Sequence, residues 1–449
     1  MSGKIRIGVL GCGRGNTMID YCLRNKDVEL AAICDFNDYY LSLTVEKLKK
    51  HKMKTKVFKD FDEFLECEMD GVVLANYAND HAPFAVRCLE KGLHVMSEVL
   101  PCENLKEAVE LVEAVERSGK VYSYAENYCF FNCTREMRRL YRKGVLGEFL
   151  YGEGEYIHNC EGSWGELTKA DRNHWRNTKS AFFYCTHSAG PLIHITGLRP
   201  VSVQGIEGDY SQKMKNLGAG GASIAIEMVR MENGATFKSI HGGGLSENSV
   251  WYSMYCSEME IESGREIPDG PRGGGLSHIY IKDDRHVWGR DRFFRSYRVK
   301  ESKEARRAGH GGSDWYTMHN FVAAIRGEEA EIIGVYEALD MFFVGHFGFL
   351  SALNKGVVTE IPDFRDPAVR EKYRDDIRCC TPSKGKEQTL PSNAQGGMQT
   401  TDETYERMKK QMEESRKRQQ EERSRTGWQW FVIGMKDFFR SFLLRKKIK

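Results

Sequence analysis

Two hydrophobic periodicities divide the chain. Up to about residue 125, short β-branched or apolar runs alternate with helical-period segments. The runs are Lys4–Leu10 (KIRIGVL), Val28–Cys34 (VELAAIC), Gly71–Ala75, Leu93–Met96 and Val121–Tyr124. Between them, His81–Lys91 and Asn104–Arg117 repeat at helical spacing. In the second, Leu105, Ala108, Val109, Val112 and Val115 share one face and Glu and Lys the other. Strand–helix alternation of this length predicts a parallel sheet covered on both faces.

The texture then changes. A helix over Thr134–Lys143 and a turn at Gly144–Gly147 lead into alternating sequence at Glu148–His158, Ser223–Met231, Ala235–Ile240 and Val250–Glu262. These predict long strands of a mixed or antiparallel sheet. Helical patterns follow at Asp314–Arg326 and Val335–Asn354, and the Gly- and Arg-rich stretch Gly264–Gly312 reads as a long loop over the site. Pro382–Thr401 has the composition of a linker, and Asp402–Arg425 is a charged, solvated helix. Near the C-terminus, Trp428, Phe431, Val432, Met435, Phe438, Phe439, Phe442 and Leu443 recur at three- and four-residue steps and precede a basic end, Arg445–Lys449. This amphipathic helix either docks on protein, a neighbouring subunit or its own catalytic domain, or lies on an anionic membrane surface. Docking on protein is the favoured reading.

Composition narrows the classes. A chain of 449 residues holds two or three domains, and its net charge of +2 gives no general attraction to nucleic acid. No segment is apolar enough to span a bilayer, and the first residues, MSGKIRIGVLGCGRG, lack the pattern of a secretory leader. The 13 cysteines are scattered without a CxxC pair, as expected of reduced, mostly buried thiols in a cytoplasmic protein. Neither Cys129/Cys133 nor Cys379–Cys380 completes a ligand set, so no metal is expected.

The first strand ends in Gly11-Cys12-Gly13-Arg14-Gly15-Asn16, and a helix follows. Glycines there allow a tight turn and a close approach of pyrophosphate to the helix N-terminus. The third glycine, Gly15, stands one place earlier than the G-x-G-x-x-G pattern asks. Asp35 ends the second strand, where an acid holds both ribose hydroxyls and repels a 2′-phosphate, favouring NAD over NADP. The expected fold class is thus α/β. An NAD-binding Rossmann domain covers 1–125, and an α+β domain with a mixed or antiparallel open sheet covers 126–381, for substrate binding and oligomerisation. A helical tail of linker, charged helix and amphipathic helix covers 382–449.

Beyond the glycine turn, the sequence resembles the Gfo/Idh/MocA oxidoreductases. Ala75-Asn76-Tyr77-Ala78-Asn79-Asp80-His81 is similar to the family's loop after the fourth strand, and Leu93–Glu98 to the strand that ends in its Glu-Lys-Pro signature. Here that signature reads Glu98-Val99-Leu100-Pro101. The lysine that assists proton transfer in ordinary members is missing, so the proton acceptor lies elsewhere or plain dehydrogenase chemistry is replaced. Ser-Glu-Val at this place resembles the NAD-dependent glycoside hydrolases of the α-N-acetylgalactosaminidase type. Glu126-Asn127-Tyr128 resembles their Glu-Asn motif. His174-Trp175-Arg176, then Tyr184-Cys185-Thr186-His187 with Gly190-Pro191, resembles their Tyr-Pro-Thr-His…Gly-Pro segment. His310-Gly311-Gly312-x-Asp314 resembles their His-Gly-Gly-x-Asp. Cys185 replaces a proline, and Leu100 is an extra residue.

The resemblance implies a homo-oligomeric enzyme that moves a hydride from a sugar or glycoside hydroxyl carbon, C3, to tightly held NAD. Net glycoside hydrolysis by oxidation, elimination, hydration and re-reduction starts with the same step. A reading from another class is a non-catalytic NAD-binding regulator. Hydride loss from a carbinol needs a base within hydrogen-bond reach of the hydroxyl. His187, three residues from Tyr184, is the expected base, with Tyr184 as relay. With Gly11, Cys12, Gly13, Arg14, Gly15 and Asp35, the residues expected on the cofactor are Asn76, Asn79, His81, Glu98, Val99, Asn127 and Arg176. Those expected on substrate are Tyr128, Trp175, His310 and Asp314. His194, in an apolar helical stretch, reads as core.

Overall fold

The computed structural model describes residues 3–265, 275–283, 293–397 and 400–424. Its first sheet is built from β1 (Ile5–Leu10), β2 (Val28–Cys34), β3 (Lys56–Phe58), β4 (Gly71–Leu74), β5 (His94–Ser97) and β6 (Tyr122–Tyr124). The strands lie in the order β3-β2-β1-β4-β5-β6, and every pairing is parallel. The order reverses between β1 and β4, the crevice where doubly wound sheets bind a dinucleotide. Helices cover both faces. In Leu105–Ser118, Asn104 caps the first turn by accepting the Glu107 N–H at 3.0 Å, and left-handed Gly119 ends the last.

The second sheet has nine strands, in the order β14-β13-β12-β11-β7-β10-β9-β8-β15. They are β7 (Phe149–His158), β8 (Pro200–Glu207), β9 (Ile224–Met231), β10 (Thr236–Gly243), β11 (Ser249–Cys256), β12 (Glu260–Ser263), β13 (His278–Asp283), β14 (Phe293–Arg298) and β15 (Thr359–Glu360). Only β7 and β10 run parallel; the other neighbours are antiparallel. Two buried helices, Thr186–Thr196 and Val335–Leu353, lie on one face. They sit so close that a Cβ on Gly154 would collide with the Ser188 carbonyl, and one on Gly205 with the Gly348 carbonyl. One continuous core joins this layer to one face of the first sheet. The other face of the first sheet is covered by Met18 and Ile19 of Asn16–Arg24 and by Met318, Phe321, Val322 and Ile325 of Ser313–Arg326. A helix late in the chain thereby delivers its N-terminal residue Asp314 to the nucleotide crevice.

Two expectations are corrected. Gly264–Gly312 is not one long loop: β13 and β14 pair within it and widen the sheet. The alternation Ile279/Ile281 supports that pairing, masked in the sequence by flanking glycines and arginines. Nor is Pro382–Thr401 a free linker over its described residues. Lys384 pairs with Glu107 at 2.6 Å and Asp80 at 3.2 Å, and buried Asn393 donates to the Gly220 carbonyl at 2.7 Å. Several of its polar side chains are satisfied by protein partners rather than by water. The charged helix forms over Asp402–Ser424, but it is not fully solvated: Tyr405 and Met408 are buried, because these two apolar side chains share a face that meets the second domain. The amphipathic helix expected over Trp428–Lys449 lies outside the described residues. Among the described residues, no helix is long and apolar enough to cross a membrane.

Candidate active site

The glycine turn is tight for steric reasons. Gly11 has φ +92°, and a Cβ there would collide with the Ala75 carbonyl. A Cβ on Gly15 would strike the Gly11 carbonyl and lie 2.7 Å from Val9 Cγ1. Gly15, one place early in the motif, therefore still performs the close packing of helix on strand. No side chain caps the helix Asn16–Arg24, and its first turn holds no acid, so its N-terminus suits an anion. At the end of β2, the buried Asp35 carboxylate accepts the Cys12 N–H at 2.7 Å and the Asn37 N–H at 2.8 Å. Burial raises its pKa while these two donors hold it down.

Beside the turn lies a charge cluster drawn from four distant parts of the chain. Arg14 forms a two-pronged pair with Asp314, at 2.9 and 3.1 Å, and meets Glu98 at the end of β5 at 2.7 Å. Asn127 donates to the same Asp314 carboxylate at 3.2 Å, and His310 Nδ1 lies 2.9 Å from it. Burial alone would raise the Asp314 pKa, but the His310 hydrogen bond and the Arg14 charge hold it well below the usual carboxylate range. Burial raises Glu98 against the opposing Arg14. His310 has φ +50° and keeps 44% of its side chain exposed, with Nδ1 committed to Asp314.

The second cluster centres on His187. Its Nδ1 is 2.7 Å from Glu126 Oε1, and Glu126 is fully buried. Only an N–H can make that contact to a carboxylate, which leaves the Nε2 lone pair as the acceptor. The imidazole is held by aromatic rings: Tyr128 stacks at 4.2 Å, Tyr156 meets it edge-on at 4.7 Å, and Tyr184 lies parallel at 5.8 Å. Tyr252 Oη donates to the His187 carbonyl at 2.5 Å. Arg176 donates to the Tyr184 hydroxyl; burial raises that phenol and the Arg176 charge lowers it. The two clusters meet at adjacent residues after β6: Glu126 holds His187, and Asn127 donates to Asp314.

Not every expected residue belongs to these two clusters. His81 is buried, with Nδ1 2.8 Å from the Leu100 carbonyl, and so braces the Glu98–Leu100 segment; its Nε2 has no hydrogen-bond partner among the described residues. Trp175 is also buried, against Tyr77 and Phe183, and Arg176 occupies its face at 4.6 Å. It therefore positions Arg176 instead of offering a stacking platform. Asn79 gives its carbonyl to Lys384. Asn76 Oδ1, at the end of β4, is buried without a hydrogen-bond partner among the described residues. Val99, half-buried, follows Glu98 on the same segment. His194 is core, 2.7 Å from Glu337. The sequence reading named Glu126 only as part of a motif and gave it no role. Tyr156 it missed altogether; the signal was the aromatic position in the alternation of β7.

The crevice fits NAD. A turn whose Cβ positions at Gly11 and Gly15 are sterically closed, an uncapped helix start, a fixed carboxylate at Asp35 and the orphaned Asn76 oxygen together match a dinucleotide.

Comparison with known proteins agrees. Residues 5–126 match the profile described as "Oxidoreductase family, NAD-binding Rossmann fold", and residues 276–371 match "Glycosyl hydrolase 109, C-terminal domain". The chain is 25% identical over 420 residues to an α-N-acetylgalactosaminidase of Tannerella forsythia, covering 81% of this chain and 86% of that one. It is 25% identical over 394 residues to an α-N-acetylgalactosaminidase of Shewanella oneidensis, covering 80% and 85%. Among solved structures, levoglucosan dehydrogenase in complex with NADH and L-sorbose superposes with TM-score 0.66 at 16% identity, covering 81% of this chain and all of that one. The myo-inositol 2-dehydrogenase of Lactobacillus plantarum gives 0.60 at 17% identity, covering 80% and 99%. At such identities these two show the shared fold. The chain carries the NAD-binding Rossmann domain of the oxidoreductase family over residues 5–126, and it is similar to the glycosyl hydrolase 109 proteins.

Proposed function

We propose that this protein is an NAD-dependent enzyme acting on a sugar or glycoside, and that its first chemical step is oxidation of a ring hydroxyl, at C3. The observation that carries the reading is the Glu126–His187 pair at 2.7 Å beside the nucleotide crevice. NAD, when bound, supplies the hydride acceptor. His187 Nε2 takes the hydroxyl proton, and Glu126 keeps the imidazole in the tautomer that can do so and balances the charge that results. Tyr184, tied to Arg176, stands beside His187 as the proton relay, its hydroxyl free to donate. This arrangement replaces the lysine absent after Glu98. Tyr128 and His310 contact the substrate; Asp314, buried under Arg14 and His310, orients His310.

A second reading, net glycoside hydrolysis, is favoured by the glycosyl hydrolase 109 match over 276–371 and by relatives named α-N-acetylgalactosaminidase. Oxidation at C3 acidifies the C2 proton; its loss expels the anomeric group, water adds, and the ketone is reduced again. No pair of carboxylates flanking the bond is needed.

The domains divide as nucleotide binding over 1–125, substrate binding and oligomerisation over 126–381, and a tail over 382–449. A homo-oligomer is supported by Ile206, Met228 and Tyr255, exposed on the face of the nine-stranded sheet that the helices leave open. We place the enzyme in the cytoplasm, consistent with free cysteines throughout. Deuterium labelling tests the chemistry. A C3-deuterated N-acetylgalactosaminide should turn over more slowly than its protio form. Solvent deuterium entering C2 would mark the hydrolytic route, and its absence plain oxidation. Equal rates for the two C3 isotopologues under single-turnover conditions would contradict the proposal.

A further inference from the structure

The two matched family segments end at residue 371, yet the chain continues into a 23-residue helix, Asp402–Ser424. Its first half is seated on the second domain. Tyr405 and Met408 are buried, and Tyr405 Oη donates to the Gly218 carbonyl at 2.9 Å. A Cβ on Gly165, in the short helix Trp164–Thr168, would lie 3.3 Å from the Met408 carbonyl.

Further along, the helix reaches the nucleotide domain. Arg416 makes a two-pronged ion pair with Glu166, at 2.8 and 2.9 Å, and its guanidinium covers the Tyr39 ring at 4.6 Å. Glu166 also accepts from Tyr40 Oη at 2.8 Å, and Lys169 donates to the same phenol oxygen. Tyr39 and Tyr40 open the helix that follows Asp35, and the Tyr40 ring lies 3.7 Å from where a Cβ on Gly13 would stand. One line of contacts, Arg416–Glu166–Tyr40, thus runs from the C-terminal helix to the wall of the glycine turn. It passes on the side of Asp35, the ribose-binding end of the crevice.

We propose that the helix Asp402–Ser424 is a strap that holds the Trp164–Lys169 segment over the adenosine-ribose end of the dinucleotide site and so sets the rate at which NAD exchanges. The inference rests on the reading of the crevice as an NAD site. Exchange requires the Trp164–Lys169 segment to part from Tyr40. That segment is tied on its outer side by Arg416, so parting it must break the two-pronged pair or carry the helix with it. An enzyme that re-reduces its own product must keep the cofactor between half-reactions, and a strap serves that need.

The test uses full-length protein loaded with NAD and chased with an excess of fluorescent etheno-NAD. Release from Arg416→Ala and from Glu166→Gln should be about 5- to 30-fold faster than from the parent. This is the size expected for a partly exposed two-pronged pair with a cation–π contact. The double variant should be no faster than either single one. Arg418→Ala, an exposed change on the same helix, should release at the parent rate. Added salt should speed release from the parent and not from Arg416→Ala. Parent-like release from Arg416→Ala, or equal acceleration by Arg418→Ala, would overturn the strap while leaving the cofactor reading intact. A parent protein that binds no NAD would overturn both.

Discussion

Glu126 and His187 lie 61 residues apart in sequence and meet at 2.7 Å in a pocket where Glu126 is fully buried. The carboxylate fixes which nitrogen carries the proton. Glu126→Gln keeps the shape but removes the negative charge, and its amide can present a donor to Nδ1. Turnover should fall by about a hundredfold or more, within the range of a positioned acid–base group. NAD affinity, measured by calorimetry, should stay within about threefold, since this change is worth under about 1 kcal/mol away from the glycine turn. A variant with parent turnover would remove Glu126 from the mechanism.

Asp35 holds its place through the Cys12 and Asn37 amides. Asp35→Asn keeps one acceptor but loses the charge that binds ribose hydroxyls and repels a 2′-phosphate. NAD should bind about 10- to 100-fold more weakly, the worth of a hydrogen bond to a charged group. The NAD-to-NADP ratio should narrow. An unchanged ratio in titrations with both dinucleotides would contradict the ribose role.

Gly15 has no room for a side chain, because its Cβ would strike the Gly11 carbonyl. Gly15→Ala should cost about 1–3 kcal/mol by overpacking, read as a lower urea midpoint, and should abolish NAD binding. Gly13→Ala, whose Cβ would lie 3.7 Å from the Tyr40 ring, should be the milder of the two in stability.

His81 predicts an acid-side loss of stability. Burial pushes its imidazole down to about 4, whereas in the unfolded chain it titrates near 6.5. Below about 6.5 the unfolded state therefore holds a proton that the folded state lacks, and stability falls with pH down to about 4, by up to about 1.4 kcal/mol per unit. His81→Gln can still donate to the Leu100 carbonyl but does not titrate. Urea midpoints across this window should fall less steeply for the variant; parallel curves would show that His81 is not the group.

Much of the nucleotide domain is legible in the sequence, because local rules govern it. Short strands, amphipathic helices, a glycine turn and an acid at the end of β2 each announce themselves within a few residues. The candidate site was legible only in pieces. Arg14 and Asp314 are 300 residues apart, and nothing local to either says that they pair. The role of Glu126 likewise depends on the arrival of the helix Thr186–Thr196 beneath β7. His81 and Trp175 looked like ligand contacts because they adjoin the site in sequence. Both are buried, His81 against the Leu100 carbonyl and Trp175 under Arg176, and nothing local in the sequence foretells that. The β13–β14 hairpin and the packed segment after Pro382 were obscured by composition, since polar and glycine-rich stretches read as loops whether or not protein partners satisfy them.

In the proposed chemistry His187 is the base for hydride transfer from a sugar to NAD. The most direct measurement is rapid mixing of NAD-loaded protein with a panel of glycosides that includes an N-acetylgalactosaminide, following the absorbance band of the reduced nicotinamide. The account predicts that the parent reduces its bound NAD with at least one glycoside, and that His187→Ala, holding the same amount of NAD, does so about 10²–10⁴ times more slowly. Reduction at the parent rate by His187→Ala, or no reduction by a parent shown to hold NAD with any sugar of the panel, would contradict it.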